Sequence, residues 1–271
     1  CTTTRRKKML SSIFVKAVWE RKISIIATAL GMFIFALLFA SLHETFAGEI
    51  VSISDSFPPE FSAVLGDISA AAKPEGFLNL ELYSLFLPFA VAITGIVFAA
   101  KSIGKEEESG TLELLLASPI SRSRIILQKL AAIKVALFVI AFSPWLGVVL
   151  GKTLFVFDAN LVNVALASLA IFLLGMVYAM VAFAGQCVTG KSKIGIGVGS
   201  GTLVLTYFAN VLSNLVENFA WLKYTSPFHY MDVSAVINGN GELINFVILL
   251  VLSVVFYVIA HTGFLKRDTG V

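Results

Sequence analysis

The chain has 271 residues, of which 58% are hydrophobic and 14% charged. An ordinary soluble domain carries about a quarter charged residues, so this composition excludes a soluble globular enzyme and describes a surface made for lipid. The formal charge of +3 becomes informative only when divided by position.

The chain opens on Arg5-Arg6-Lys7-Lys8 and then MLSSIFVKAVWERK. Leu10, Phe14, Ala17 and Val18 recur at helical spacing, with Lys16, Glu20 and Lys22 elsewhere around the helix. Residues 1–22 are therefore expected to form a basic amphipathic helix lying in the headgroup layer on the cytoplasmic side. A crossing needs about 20 apolar residues at about 1.5 Å of rise each. Six stretches reach that length: Ile23–Leu42, Leu82–Ala100, Ile125–Leu150, Leu161–Gly185, Ile194–Val216 and Leu243–Phe264. Pro88 and Pro144 fall inside spans and should bend them, which a bundle tolerates when neighbours satisfy the freed carbonyls. Residues 43–81 are expected as an outer loop with one short helix, and 217–242 as an outer re-entrant or loop segment. The fold class is an all-α integral membrane protein forming one transmembrane domain.

Orientation follows from charge. The segments before Ile23, around 101–134, around 186–193 and after Phe264 hold 17 of the 20 basic residues and 6 of the 17 acids, a net +11. The other three connections hold three basic and 11 acidic residues, a net −8. By the positive-inside rule the basic set is cytoplasmic, and an even number of spans puts both termini there. Cys187 beside Lys191 and Lys193 then lies on the reducing side, where a disulfide is not expected. Cys1, followed at once by basic residues, is not expected to be a lipid-anchored cysteine.

The most informative stretch is KEEESGTLELLLASPISRSR, residues 105–124. Three acids, Glu106, Glu107 and Glu108, precede a break at Gly110. A short helix is expected over Thr111–Ala117, stopped by Pro119, with a new helix beginning near Ser121 and carrying Arg122 on its first turn. Leu112, Leu115 and Leu116 form an apolar stripe at i, i+3, i+4. The acids would meet the positive end of the short helix's dipole. Two turns cannot stand alone in water, so the stripe must lie on lipid or in a partner's groove.

These residues carry a resemblance. Glu106–Glu108, then Gly110–Leu116, Ser118–Pro119, Ser121–Arg122 and Lys129 resemble the membrane-spanning permease family of type-2 ABC transporters. The six spans, the amphipathic start and Ser226-Pro227-Phe228 in the last outer segment are similar to that family as well. The resemblance implies a multi-pass subunit of a prokaryotic plasma membrane, an exporter without enzymatic activity of its own. It would pair with a second permease and with two separate ABC ATPase subunits. Residues 105–118 would be the coupling segment docked on the ATPase, which would bind ATP and Mg, so no cofactor is expected in this chain. A self-sufficient secondary transporter or channel is the alternative, and a membrane enzyme or scaffold the third class. Ion coupling predicts charged residues within spans, and the span interiors are almost bare. Lys129 and Lys134, in the first turns of the third span, can snorkel to the surface. Membrane lipid is an expected partner and nucleic acid is not.

Three further patterns are weighed. Gly185–Ser192 reads GQCVTGKS, a full match to GxxxxGK[ST]. That loop needs a buried strand before it and a soluble helix after it, whereas apolar spans flank it here, so it is read as a turn. Gly195, Gly197, Gly199 and Gly201 contain two small-xxx-small pairs, suited to close helix packing within the subunit or across a dimer. A flexible gate is the other reading. His43, His229 and His261 lack ligand spacing, and no metal site is expected.

Overall fold

The computed structural model describes residues 2–54, 73–108, 110 and 120–267. In chain order these form α1 (Thr2–Ser54), α2 (Pro74–Leu78), a π-helical stretch (Asn79–Phe86), α3 (Leu87–Glu108), α4 (Arg122–Leu154) and α5 (Leu161–Thr189). α6 (Ser192–Leu215), a 3₁₀ stretch (Glu217–Thr225), α7 (Pro227–Met231), α8 (Val233–Ile237) and α9 (Leu243–Lys266) follow. Among the described residues six segments are long and apolar enough to cross a membrane: Ile13–Ala47, Leu82–Glu108 and the helices α4, α5, α6 and α9.

α5 is the hub. Of its most apolar stretch 72% is buried, against 17% for those of α1, α6 and α9. It packs on α3, α4, α6 and α9, while α1 lies mainly along α4. The α1–α4 seam is built from small residues. A Cβ on Gly147 would stand 2.6 Å from the Phe33 carbonyl oxygen and 3.0 Å from Ala36 Cβ, and one on Gly151 would stand 2.5 Å from Ala40 Cβ. Backbones approach this closely only where side chains are absent. Gly147 and Gly151 are a small-xxx-small pair that the sequence displays and that its reading passed over in favour of the later glycines.

Both prolines are accommodated. Pro144 cannot donate to the Ile140 carbonyl one turn earlier, and the Ser143 hydroxyl donates to that oxygen instead, at 2.8 Å. Pro88 follows directly on the π-helical stretch, and wide turns are a common way to absorb a missing bond.

Two expected boundaries move. The helix over 1–22 is not a separate element, because α1 runs unbroken from Thr2 to Ser54. No glycine or proline interrupts it before Gly31. Ala17 is buried and Phe14 and Val18 pack on the bundle core, so that part of the stripe faces protein; the Leu10 side chain lies outside the description. The outer loop expected over 43–81 is shorter than that, since α1 continues to Ser54 and helix resumes at Pro74. The segment 217–242 is a chain of short helical pieces, held by the Asn163 amide donating to the Ile237 carbonyl at 3.1 Å.

Candidate functional site: a charged clasp at one end of the bundle

α3 runs through the three glutamates and stops at Glu108. Gly110, at φ +69°, takes the left-handed turn that glycine adopts without a Cβ penalty; its N–H bonds to the Glu107 carbonyl at 3.1 Å. The acids therefore occupy the last turn of one helix rather than the approach to the next. That is the negative end of the dipole, where a carboxylate needs a donor or a cation.

Each acid has its own. Glu106 Oε1 accepts from Lys129 Nζ of α4 at 2.8 Å, with the two side chains only 14% and 6% exposed. Lys129 thus turns inward to a carboxylate and does not snorkel. Glu107 Oε1 pairs with Arg267 Nη2 just beyond α9. Glu108 Oε1 accepts the backbone N–H of Ser192 at 3.3 Å, at the first turn of α6, where negative charge suits the dipole.

Arg267 extends the network. It donates to the carbonyls of Gln186 at 3.4 Å and Cys187 at 3.1 Å, in the last turn of α5. Its own carbonyl accepts from Arg122 Nη1 at 3.4 Å. One residue after Arg122, Ser123 Oγ lies 3.1 Å from His261 Nε2, joining α4 to α9. α1 is attached more weakly, by the solvent-exposed Lys105–Glu20 pair at 3.8 Å, which contributes little. The end of α3 therefore touches every other long helix at this end of the bundle.

Glycines make the room. Gly190, at φ +77°, closes α5, and a Cβ there would come within 2.7 Å of Glu107 Oε1 and 2.9 Å of Arg267 Nη1. Of the four glycines in α6, Gly195 and Gly199 face the bundle. A Cβ on Gly195 would meet the Ala182 carbonyl at 2.6 Å, and one on Gly199 the Ala182 Cβ at 2.8 Å. Gly197 and Gly201 have nothing within 4 Å of that position. The GQCVTGKS stretch is the end of α5, a turn at Gly190 and the start of α6; no strand precedes it.

Of the residues singled out from sequence, Glu106–Glu108, Gly110 and Arg122 gather here. Thr111, Leu112, Leu115, Leu116 and Pro119 lie outside the described residues. Sequence reading missed Arg267, Ser192 and the inward role of Lys129. The available signal was the presence of basic residues at membrane borders beside a triple acid. Glu107 Oε2, Gln186 Nε2 and Ser192 Oγ are buried here without a hydrogen-bond partner among the described residues, where such atoms are usually satisfied. No group of three or more His, Cys, Asp or Glu able to hold a metal is found among the described residues.

Six apolar helices tied together at one charged end define a multi-pass helical membrane protein. Over residues 13–269 the chain matches the family described as ABC-2 family transporter protein, and it belongs to that family. It is the membrane component of an ABC-2 transporter, a permease of a kind that lacks ATPase domains. Membership implies ATPase partners in a transporter complex. No individual curated protein is similar enough to stand as a named relative.

Proposed function

We propose that this permease is an exporter subunit of a plasma membrane, with the clasp end in the cytoplasm, and that residues 105–118 are the segment on which the ATPase acts. The positive-inside charge division supports the orientation. The observation that carries the coupling role is the clasp. A segment emerging from Glu108 and Gly110 and re-entering at Arg122 is anchored at both ends to residues that also hold α5, α6 and α9. A push on it is delivered to the whole bundle rather than to one helix.

In this reading Leu112, Leu115 and Leu116 enter the ATPase groove, while Glu106–Glu108 act from inside as anchors and Gly110 as the pivot. The buried unpartnered atoms of Glu107, Gln186 and Ser192 offer polar contacts to the same segment. The ATPase binds ATP and Mg, and a second permease completes the transporter. Single cysteines at Leu112 or Leu115, tested with a crosslinker in native membranes, should capture an ABC ATPase and be labelled only from the cytoplasmic side. Capture of no ATPase, or labelling from outside, would overturn the assignment.

A further inference from the structure

At the end of the bundle away from the clasp lies a cavity of about 410 Å³, large enough for a small ligand. Three elements converge on it. The first is the π-helical stretch, which supplies Asn79 and Ser84. Residues five apart on an α-helix diverge by about 140°; the wider i→i+5 turn brings these two to one side. The second is the end of α6, where Tyr207, Asn210 and Asn214 recur at i, i+3, i+7 and form one polar stripe. The third is the loop between α7 and α8, with Asp232.

The chemistry of the lining is specific. Three carboxamides and the Tyr207 hydroxyl each donate and accept, and the Ser84 hydroxyl, which already donates to the Leu80 carbonyl at 2.7 Å, can accept. The Asn79 side-chain oxygen is buried and has no hydrogen-bond partner among the described residues, so it could accept from a donor that a ligand brings. Among the described residues no Lys or Arg lines the cavity, and its one basic side chain, His229, has its ring packed against those of Tyr224 and Tyr230. Its one carboxylate, Asp232, already accepts from the Ala235 N–H at 3.1 Å as the cap of α8. Phe228, packed on Tyr207 with ring centroids 5.4 Å apart, adds an apolar wall.

We propose that this cavity binds a small, uncharged, hydroxyl-rich molecule about the size of one or two sugar rings. Hydroxyls match a lining of mixed donors and acceptors, and the CH face of a ring matches the aromatic wall. The site's position on the outer side rests on the orientation proposed above; the binding itself does not.

The full-length permease in detergent, without ATPase, is titrated by saturation-transfer NMR with N-acetylglucosamine, maltose, choline and inorganic phosphate. Saturable binding of the sugars is expected, weakened about fivefold, the value of one lost hydrogen bond, by Asn79→Ala and by Asn210→Leu at unchanged melting temperature. Asn214→Ala, at an exposed position, serves if either variant fails to fold. Asp232→Asn keeps a good cap and removes the charge, which separates a site for a cation from one for a neutral ligand. Binding of choline that Asp232→Asn abolishes, or of phosphate, would overturn the ligand class. No binding by any probe, or sugar binding indifferent to the asparagine variants, would overturn the site. The crosslinking result stands or falls separately.

Discussion

At the clasp end, three consecutive carboxylates reach three different helices through two ion pairs and a main-chain N–H. Away from the clasp, neutral contacts tie the bundle: the Ser226 hydroxyl donates to the Thr206 carbonyl at 2.7 Å, and the Tyr178 and Thr206 hydroxyls are 2.6 Å apart. Phe228 packs among the rings of Phe89, Tyr178 and Tyr207 in tilted and edge-on contacts. Shielded charge pairs are costly to break one-sidedly, whereas neutral hydrogen bonds and ring contacts exchange for about 1 kcal/mol each. The clasp end is thereby the stiffer one, and the cavity end is held by the weaker ties.

The sharpest way to break this comparison is Lys129→Met. It leaves Glu106 shielded without its close cation and should cost about 3 kcal/mol, read as a large drop in melting temperature in detergent. The double variant with Glu106→Gln should recover most of the loss, because similar-sized neutral groups replace a shielded pair at little cost. A mild effect of Lys129→Met alone would mean that the clasp is ornamental.

Second in size is the contrast within α6. Gly195→Ala forces a methyl against the Ala182 carbonyl and the Gln186 Cβ, 2.6 and 2.9 Å away, and should cost about 2 kcal/mol through overpacking. Gly197→Ala meets nothing within 4 Å and should be neutral or stabilising by up to about 1 kcal/mol, since alanine is the better helix former. Equal effects at the two positions would mean that α6 is not seated as described.

These glycines show what the sequence could and could not tell. Their small-xxx-small spacing was legible, but which pair faces the bundle depends on the rotation of α6. Six spans were legible because length and apolarity are local properties. The break at Gly110 and the helix restart at Arg122 were legible for the same reason. The partners of the glutamates were not, because Glu106–Lys129 and Glu107–Arg267 are separated by 23 and 160 residues and meet only in the folded bundle. The join between residues 1–22 and the first span misled because an amphipathic stripe looks alike against lipid and against protein. The stripe Tyr207, Asn210, Asn214 stands in the sequence, but neutral amides within a span leave no mark on a division by charge.

At the cavity end, Ser226→Ala removes both the bond to Thr206 and the cap on the Phe228 N–H at 3.3 Å. A cost of about 1.5 kcal/mol is expected, about half that of Lys129→Met, and thermal melts of the two variants side by side measure the ratio. A reversed order would place the stiff end of the bundle at the cavity instead.

The smallest effect concerns charge at that same end. Asp158 is fully exposed, and its carboxyl is held below the usual carboxylate range, first by the hydrogen bond from Lys152 and then by its charge. A depressed folded value means that the pair's contribution is present above the ordinary aspartate value of about 3.9 and is lost as pH falls through the lower folded one. An exposed pair is weak and screened by salt, so Asp158→Asn should lower the melting temperature slightly near pH 6. The gap to wild type should close below about pH 4 and shrink in high salt at any pH. If the gap instead approached that of Lys129→Met, or persisted in acid and salt, exposed charge would matter at the cavity end as much as shielded charge does at the clasp, and the contrast between the two ends would fail.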